Sequence, residues 1–176
     1  MKKKDLFSIK IKTRRLHLVP ISLKYKKDIF REFTDKVTFF MFPAAPKRIE
    51  ETEEFILKSI KEMKKGQNLQ VVILDEHEKF IGGGGLHHID KKTPEIGIWL
   101  KKSSHGKGYG KDVVFALKKW ADKNLDYKYL LYPVDKDNIA SRKIPESMNG
   151  EIFKKYNLKN KNGKVLHLLE FRIFKN

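Results

Sequence analysis

The chain contains no cysteine. That excludes a disulfide framework, a thiolate metal site and a cysteine nucleophile. Histidine is sparse, at six residues. The adjacent pair His87-His88 falls in a strand pattern, where neighbouring side chains point to opposite faces and do not chelate together. No metal is expected. Proline and glycine form no linker and no repeat is visible, so residues 1–176 read as one domain. No apolar run approaches the roughly 20 residues that a membrane span requires. Residues 1–15 begin with basic residues, as signal peptides do, but lack an apolar h-region. A soluble, cytoplasmic protein with no membrane partner is expected.

Negative charge is also short: 22 Asp and Glu against 39 Lys and Arg, a formal net charge of +17. Such a surface attracts polyanions. Yet only six of the cations are Arg, the residue suited to bidentate phosphate or base contacts, and the lysines are spread along the whole chain. A dedicated nucleic-acid function is not expected from that distribution. Hydrophobic residues make up 40% and aromatic residues 11%. This is enough to build a core and excludes a disordered chain.

Residues 16–19, ending at Pro20, read as a short strand, and Ser22 as the cap of a helix to about residue 34. A second helix begins near Pro46, carries Ile49, Ile56, Ile60 and Met63 as one apolar stripe, and stops at Gly66. The continuous apolar run 69–74 predicts a strand buried on both faces. Strands follow at 80–89 and 94–101, then a helix over 108–122 and a strand over 127–134. Asp137 or Asn138 caps a helix running towards Met148 and Gly150. Strands at 151–158 and 165–174 flank Asn162-Gly163, a hairpin turn signal. The order predicts a mixed α/β (α+β) fold, largely antiparallel, unlike the regular alternation of a doubly wound sheet. The run Gly82 to Gly85 lies inside a strand, where it lets another backbone or a ligand come close.

The segment with most chemical content is His105-Gly106-Lys107-Gly108-Tyr109-Gly110-Lys111, between the strand Glu95-Ile96-Gly97-Ile98-Trp99-Leu100 and a helix. Glycines allow a tight turn with N–H groups converging on one concavity. The helix start adds unpaired N–H groups and a positive dipole end. With Lys107 and Lys111 these make a pyrophosphate cradle. It is not a P-loop, since His105 replaces the first glycine and Asp112 the magnesium-binding hydroxyl. It is not a dinucleotide fingerprint, since Lys111 and Val113 stand where the last glycine belongs.

This stretch resembles the acetyl-CoA-binding motif of the GCN5-related N-acetyltransferases, Gln/Arg-x-x-Gly-x-Gly/Ala, with His105 in the Gln/Arg place and Gly108 and Gly110 as the glycines. Thr13-Arg14-Arg15-Leu16, Ile81-Gly82 with Gly85-Leu86, and Asn138-Ile139-Ala140-Ser141 extend the resemblance over nearly the whole chain. The Glu-Ile-Gly-x-Trp-Leu strand and the Asn-x-x-Ser segment are similar to those of the ribosomal-protein N-terminal acetyltransferase branch. The resemblance implies about seven strands and four helices, with a sheet splayed between the strands at 95–101 and 127–134, the fourth and fifth of the family. It also implies a bulge in the first of these, where Ile98, Trp99 and Leu100 offer peptide groups to pantetheine and polarise the thioester. The loop from His105 through Gly106, Lys107, Gly108, Tyr109 and Gly110 to Lys111 would hold the pyrophosphate, and Asn138 the pantetheine arm.

The implied reaction is direct transfer of the acetyl group of acetyl-CoA to a primary amine, on a protein N-terminus or a small molecule. Glu95 is the candidate base, acting through water, and Ser141 the candidate acid or sulfur anchor. Tyr156 is a substitute donor. No metal cofactor is implied, and a monomer or homodimer is compatible with the pattern. Pro145 departs from the family inside the fourth helix and is expected to kink or shorten it. The residues Phe39, Phe40, Met41, Phe42 and Pro43 are candidates for lining the acceptor site. The high positive charge favours a neutral or acidic acceptor over a polyamine. Competing readings are a non-catalytic acyl-CoA-binding module and a basic ribosome- or RNA-associated protein.

Overall fold

The computed structural model describes residues 5–175; the basic start of the chain at 1–4 lies outside them. Eight strands form one sheet in the order β1-β2-β3-β4-β5-β6-β8-β7. They are β1 Ile11–Lys12, β2 Leu16–Pro20, β3 Leu69–Asp75, β4 Phe80–His87, β5 Glu95–Leu100, β6 Tyr129–Asp135, β7 Glu151–Lys159 and β8 Val165–Phe174. Every neighbouring pair is antiparallel except β5 and β6, which are parallel. The expected splay between the strands at 95–101 and 127–134 is thus between β5 and β6. The extra strand is β1, whose two residues pair with His17 and Leu18.

Five helices, α1 Lys26–Glu32, α2 Asp35–Thr38, α3 Ile49–Lys65, α4 Tyr109–Asn124 and α5 Ile139–Glu146, flank the sheet. The helix expected from Ser22 to residue 34 is broken. Ser22 makes no side-chain cap, a single 3-10 turn precedes α1, and Phe33 leaves helical geometry at φ −85° and ψ 69°. Its ring packs 4.8 Å from that of Trp99, so a tertiary contact overrides the helical pattern. Helix α3 starts at Ile49, three residues after Pro46, and Gly66 ends it at φ 73° with its N–H on Glu62 and Met63 carbonyls. Its buried stripe is Thr52, Ile56, Ser59 and Met63, with Ile49 and Ile60 half-buried.

Strand β3 is buried over residues 69–74, as the apolar run predicts. β4 lies beside it, and there the glycines serve close packing. A Cβ on Gly85 would stand 2.0 Å from the Leu69 carbonyl oxygen, and one on Gly83 2.9 Å from the Trp99 indole nitrogen. The run therefore admits a neighbouring strand and an indole, and Gly84 within it also lines the cavity at the centre of the sheet.

Helix α5 ends at Glu146, with Pro145 in its last turn. The carbonyl of Pro145 accepts the Met148 and Gly150 N–H groups at 3.0 and 2.8 Å. The proline sits near the far end of the helix and offers no N–H to the Ser141 carbonyl four residues back, while at the near end Asn138 still caps the Ser141 N–H. Among the described residues no helix is long and apolar enough to cross a membrane.

Candidate active site

β5 and β6 touch at one register pair, Glu95 and Leu131, with the Leu131 N–H on the Pro94 carbonyl at 2.8 Å. Beyond it the strands part. On its other side β5 stays paired with β4 from Glu95 to Leu100 without a register shift. The opening therefore comes from divergence of two strands; the bulge expected in residues 95–101 is not there, and the sheet's shifts lie in the β3–β4 and β7–β8 pairings.

Peptide groups alternate sides along an antiparallel strand. The Lys101 N–H reaches the Ile81 carbonyl in β4, and the Pro94 carbonyl faces β6. Ile98 and Leu100 therefore turn their N–H and C=O groups into the opening. Those of Trp99 face Gly83, so Trp99 brings its indole to the site rather than its backbone. The Leu100 carbonyl already meets the His105 ring nitrogen at 2.9 Å. His105 thus braces the turn that leaves β5.

The turn itself is built from left-handed glycines, Gly106 at φ 74° and Gly108 at φ 76°. Gly108 is the N-cap of α4 and supplies no side chain, so the first N–H groups of the helix face outward without a side-chain acceptor. A Cβ on Gly106 would meet nothing within 4 Å, which leaves room for a ligand against the backbone. A Cβ on Gly110 would come within 3.2 Å of Ile144 and 3.5 Å of Ile98, so this glycine lets α4 lie close to β5 and α5. Lys107 and Lys111 are exposed beside the loop. These features fit a pyrophosphate.

Arg15, which sequence reasoning placed only in the opening strand, fastens the loop. Its guanidinium donates to the Lys107 carbonyl at 2.9 Å and to Asp112 at 2.6 and 2.9 Å, and lies 4.8 Å from the Tyr109 ring centroid. Asp112 sits in the first turn of α4, where its charge would repel a phosphate; Arg15 compensates it.

Residues opposite one another across paired strands share a face. Glu95, Gly97 and Trp99 look towards α1 and α3, while Ile98 and Leu100 look towards α4 and α5. A cavity of about 650 Å³ runs through the opening and touches both sides. On the α4–α5 side Asn138 caps α5, its Oδ1 accepting the Ser141 N–H at 3.3 Å, and its Nδ2 remains the group to offer a ligand carbonyl. The Ser141 hydroxyl lies 2.8 Å from that of Tyr132. Tyr132 was not anticipated; its even position in a strand carried no signal. Burial pushes its hydroxyl up to about 12, so it stays protonated at neutral pH, and either hydroxyl of the pair can donate to the other. The base of this wall is fixed by buried Asp135, whose carboxylate accepts N–H groups of Asp137 and His167 at 2.9 Å each.

On the other side, burial raises the pKa of Glu95 above the ordinary carboxylate value; the His88 charge opposes this and Glu170 adds to it. Tyr156 lines the same side, its pKa raised by burial and then by Glu170 and Glu95. His87 lies there too, its pKa lowered by burial first. Phe40, Met41, Phe42 and Pro43 line the cavity wall, whereas Phe39 lies outside it against Lys164. Among the described residues no cluster of three or more His, Asp and Glu could hold a metal.

The family model described as acetyltransferase (GNAT) domain matches residues 15–150. The chain belongs to the acetyltransferase (GNAT) family. Solved structures share the fold. A GCN5-related N-acetyltransferase from Brucella melitensis superposes with a TM-score of 0.78 at 18% identity, over 95% of this chain and 79% of that one. The spermidine N-acetyltransferase from Vibrio cholerae, solved with CoA and spermine, gives 0.80 at 15% identity, over 93% and 97%. RimL, a ribosomal L7/L12 alpha-N-protein acetyltransferase solved with coenzyme A, gives 0.81 at 17% identity, over 94% and 98%.

Proposed function

We propose that this enzyme transfers acetyl from acetyl-CoA directly to a primary amine that enters from the α1–α3 side, in the manner of the ribosomal-protein N-terminal acetyltransferase branch. The observation that carries the reading is the division of groups across the opening: Glu95 on one face, the Ser141–Tyr132 pair on the other. An amine must be neutral to attack a thioester, and the departing thiolate needs a donor. Glu95, its pKa raised by burial, takes the ammonium proton through water. The Ile98 and Leu100 peptide groups orient the pantetheine and polarise the thioester carbonyl. The proton that the attacking nitrogen loses on becoming an amide passes along the Ser141–Tyr132 pair to the departing sulfur, so both hydroxyls end protonated and Ser141 works as half of a pair. Asn138 donates to the pantetheine arm. His105, Gly106, Lys107, Gly108, Tyr109, Gly110 and Lys111 hold the pyrophosphate. No intermediate on the enzyme is needed.

The Glu-Ile-Gly-x-Trp-Leu strand and the Asn-x-x-Ser start of α5 support the assignment to that branch, and RimL shares the fold. The same reading takes residues 1–176 as one catalytic domain, cytoplasmic, acting as a monomer or homodimer. Calorimetric titration with acetyl-CoA at near-physiological salt, with ATP as a polyanion control, tests the donor site. Release of free CoA on adding an amine tests transfer. One-to-one acetyl-CoA binding that ATP does not reproduce is expected; binding equal to ATP would sink the assignment.

A further inference from the structure

The cavity on the α1–α3 side has a chemistry more selective than "an amine". Its wall carries Phe33, Phe40, Phe42, Phe55 and Trp99, closed on the far side by Leu158, Leu166 and Leu168. Among the described residues two carboxylates line it, Glu51 and Glu95. Glu51 is already engaged: it accepts the Lys47 N–H at 3.2 Å and lies 3.7 Å from the Arg48 guanidinium. Glu95 is left as the acid facing an incoming ammonium. One cation, Lys161, lines the same wall. The roof is not loose. The Lys161 N–H donates to the Phe42 carbonyl at 3.1 Å, and the Asn160 side-chain amide to the Met41 carbonyl at 3.2 Å, so the β7–β8 turn holds the aromatic segment over the cavity.

From this we infer that the acceptor is a primary monoamine on an aromatic or bulky apolar body. The inference rests on the transferase reading above for the direction in which the amine points. A polyamine carries several ammonium groups, each needing a carboxylate or water. Among the described residues this wall offers Glu95 as its one lining carboxylate without a side-chain partner, with Glu170 acting on it from beside the cavity, together with His87, Lys161 and a row of rings. A body that is itself apolar leaves those rings dry and places its single ammonium at Glu95. Two sources present that chemistry: a small arylalkylamine, or a polypeptide whose first residue is large and apolar.

The test runs on the full chain carrying Trp120→Phe. This leaves Trp99 as the emitting indole, since Trp120 lies on α4 and does not line the cavity. Tryptophan emission is titrated with 2-phenylethylamine, with a short peptide beginning in Phe, with the same peptide beginning in Gly, and with spermidine. CoA release from acetyl-CoA is measured with the same four amines. The expected result is saturable binding of phenylethylamine or the Phe peptide at least tenfold tighter than spermidine and the Gly peptide, with kcat/KM in the same order. Preference for phenylethylamine alone assigns a small molecule, and preference for the Phe peptide alone assigns a polypeptide N-terminus; each supports the class. Equal or tighter binding of spermidine or the Gly peptide overturns it, as does the absence of saturable binding by both apolar amines. Calorimetry with acetyl-CoA on the same samples judges the donor site separately. Loss of acetyl-CoA binding would strike the transferase reading while the emission titrations still decide what the cavity accepts.

Discussion

Arg15 and Asp112 stand 97 residues apart in sequence and 2.6 Å apart in space, and the same guanidinium holds the Lys107 carbonyl inside the glycine loop. One side chain from the start of the sheet thus sets the shape of a turn after its fifth strand. Both partners are about a third exposed, so the pair stabilises the fold by roughly 1 kcal/mol at most. Its larger effect should be on the ligand. Arg15→Met frees the loop and leaves the Asp112 charge uncompensated near the phosphate position. Acetyl-CoA Kd is expected to rise roughly tenfold, equivalent to about 1.4 kcal/mol. Calorimetry reads this directly, and an unchanged Kd would mean the loop holds its form without the clamp.

Glu95 gives a pH signature. Its pKa is raised in the folded protein, chiefly by burial. If it is the base, kcat/KM should climb with an acid limb whose midpoint lies above the ordinary glutamate value, and Glu95→Gln should abolish that limb. The stability effect has the opposite sense. Burying the charged form costs free energy at neutral pH, and that cost vanishes once the carboxyl is protonated in both states. Glu95→Gln should therefore raise Tm at neutral pH, with the gain shrinking as pH falls into the ordinary carboxylate range. Thermal melts across pH, run beside rate profiles, separate the two effects; a variant that keeps full turnover removes Glu95 from the mechanism.

The Tyr132–Ser141 pair offers a third check. Ser141→Ala leaves a buried phenol without its partner, at a cost of about 1–3 kcal/mol in stability. Tyr132→Phe removes the donor but keeps the ring, and should lower kcat about tenfold with acetyl-CoA affinity unchanged. Burial pushes the tyrosine up to about 12, so the wild-type rate should show no tyrosine limb where an ordinary one, near 10, would begin to titrate. Equal kcat in Tyr132→Phe would leave Ser141 to act alone or not at all.

Local pattern carried much of this architecture. The buried run of β3, the Gly66 stop, the Asn138 cap and the glycine turn before α4 each follow from a few neighbouring residues, and the structure places them there. Elements set by distant contacts did not show. β1 is two residues long, too short for any periodicity, and exists because His17 and Leu18 pair with it. Phe33 breaks a helical pattern to reach Trp99. Within the site, the residues that offer chemistry stood out by type, whereas those that hold them did not: Arg15 on the glycine loop, Tyr132 beside Ser141 and Asn160 against Met41 are pairings across 92, 9 and 119 residues.

That last pairing yields the prediction most specific to the acceptor. Asn160 is buried, and its two amide ends do different work. Oδ1 accepts the Asn162 and Lys164 N–H groups at 3.0 and 2.9 Å, which folds the hairpin turn; Nδ2 donates to the Met41 carbonyl, which ties the turn to the aromatic segment. Asn160→Asp keeps the first role and loses the second, leaving a carboxylate against a carbonyl. The roof over the cavity should loosen while the donor site, on the other face of the sheet, stays as it is. Acceptor KM is then expected to rise roughly tenfold with kcat changed less than about twofold, the mark of lost ground-state binding. Acetyl-CoA affinity should not move. Asn160→Ala loses both roles and should lower Tm as well, so the aspartate variant isolates the tether. A fall in kcat at constant KM would place the effect in the chemistry and would remove Asn160 as a positioning residue for the acceptor.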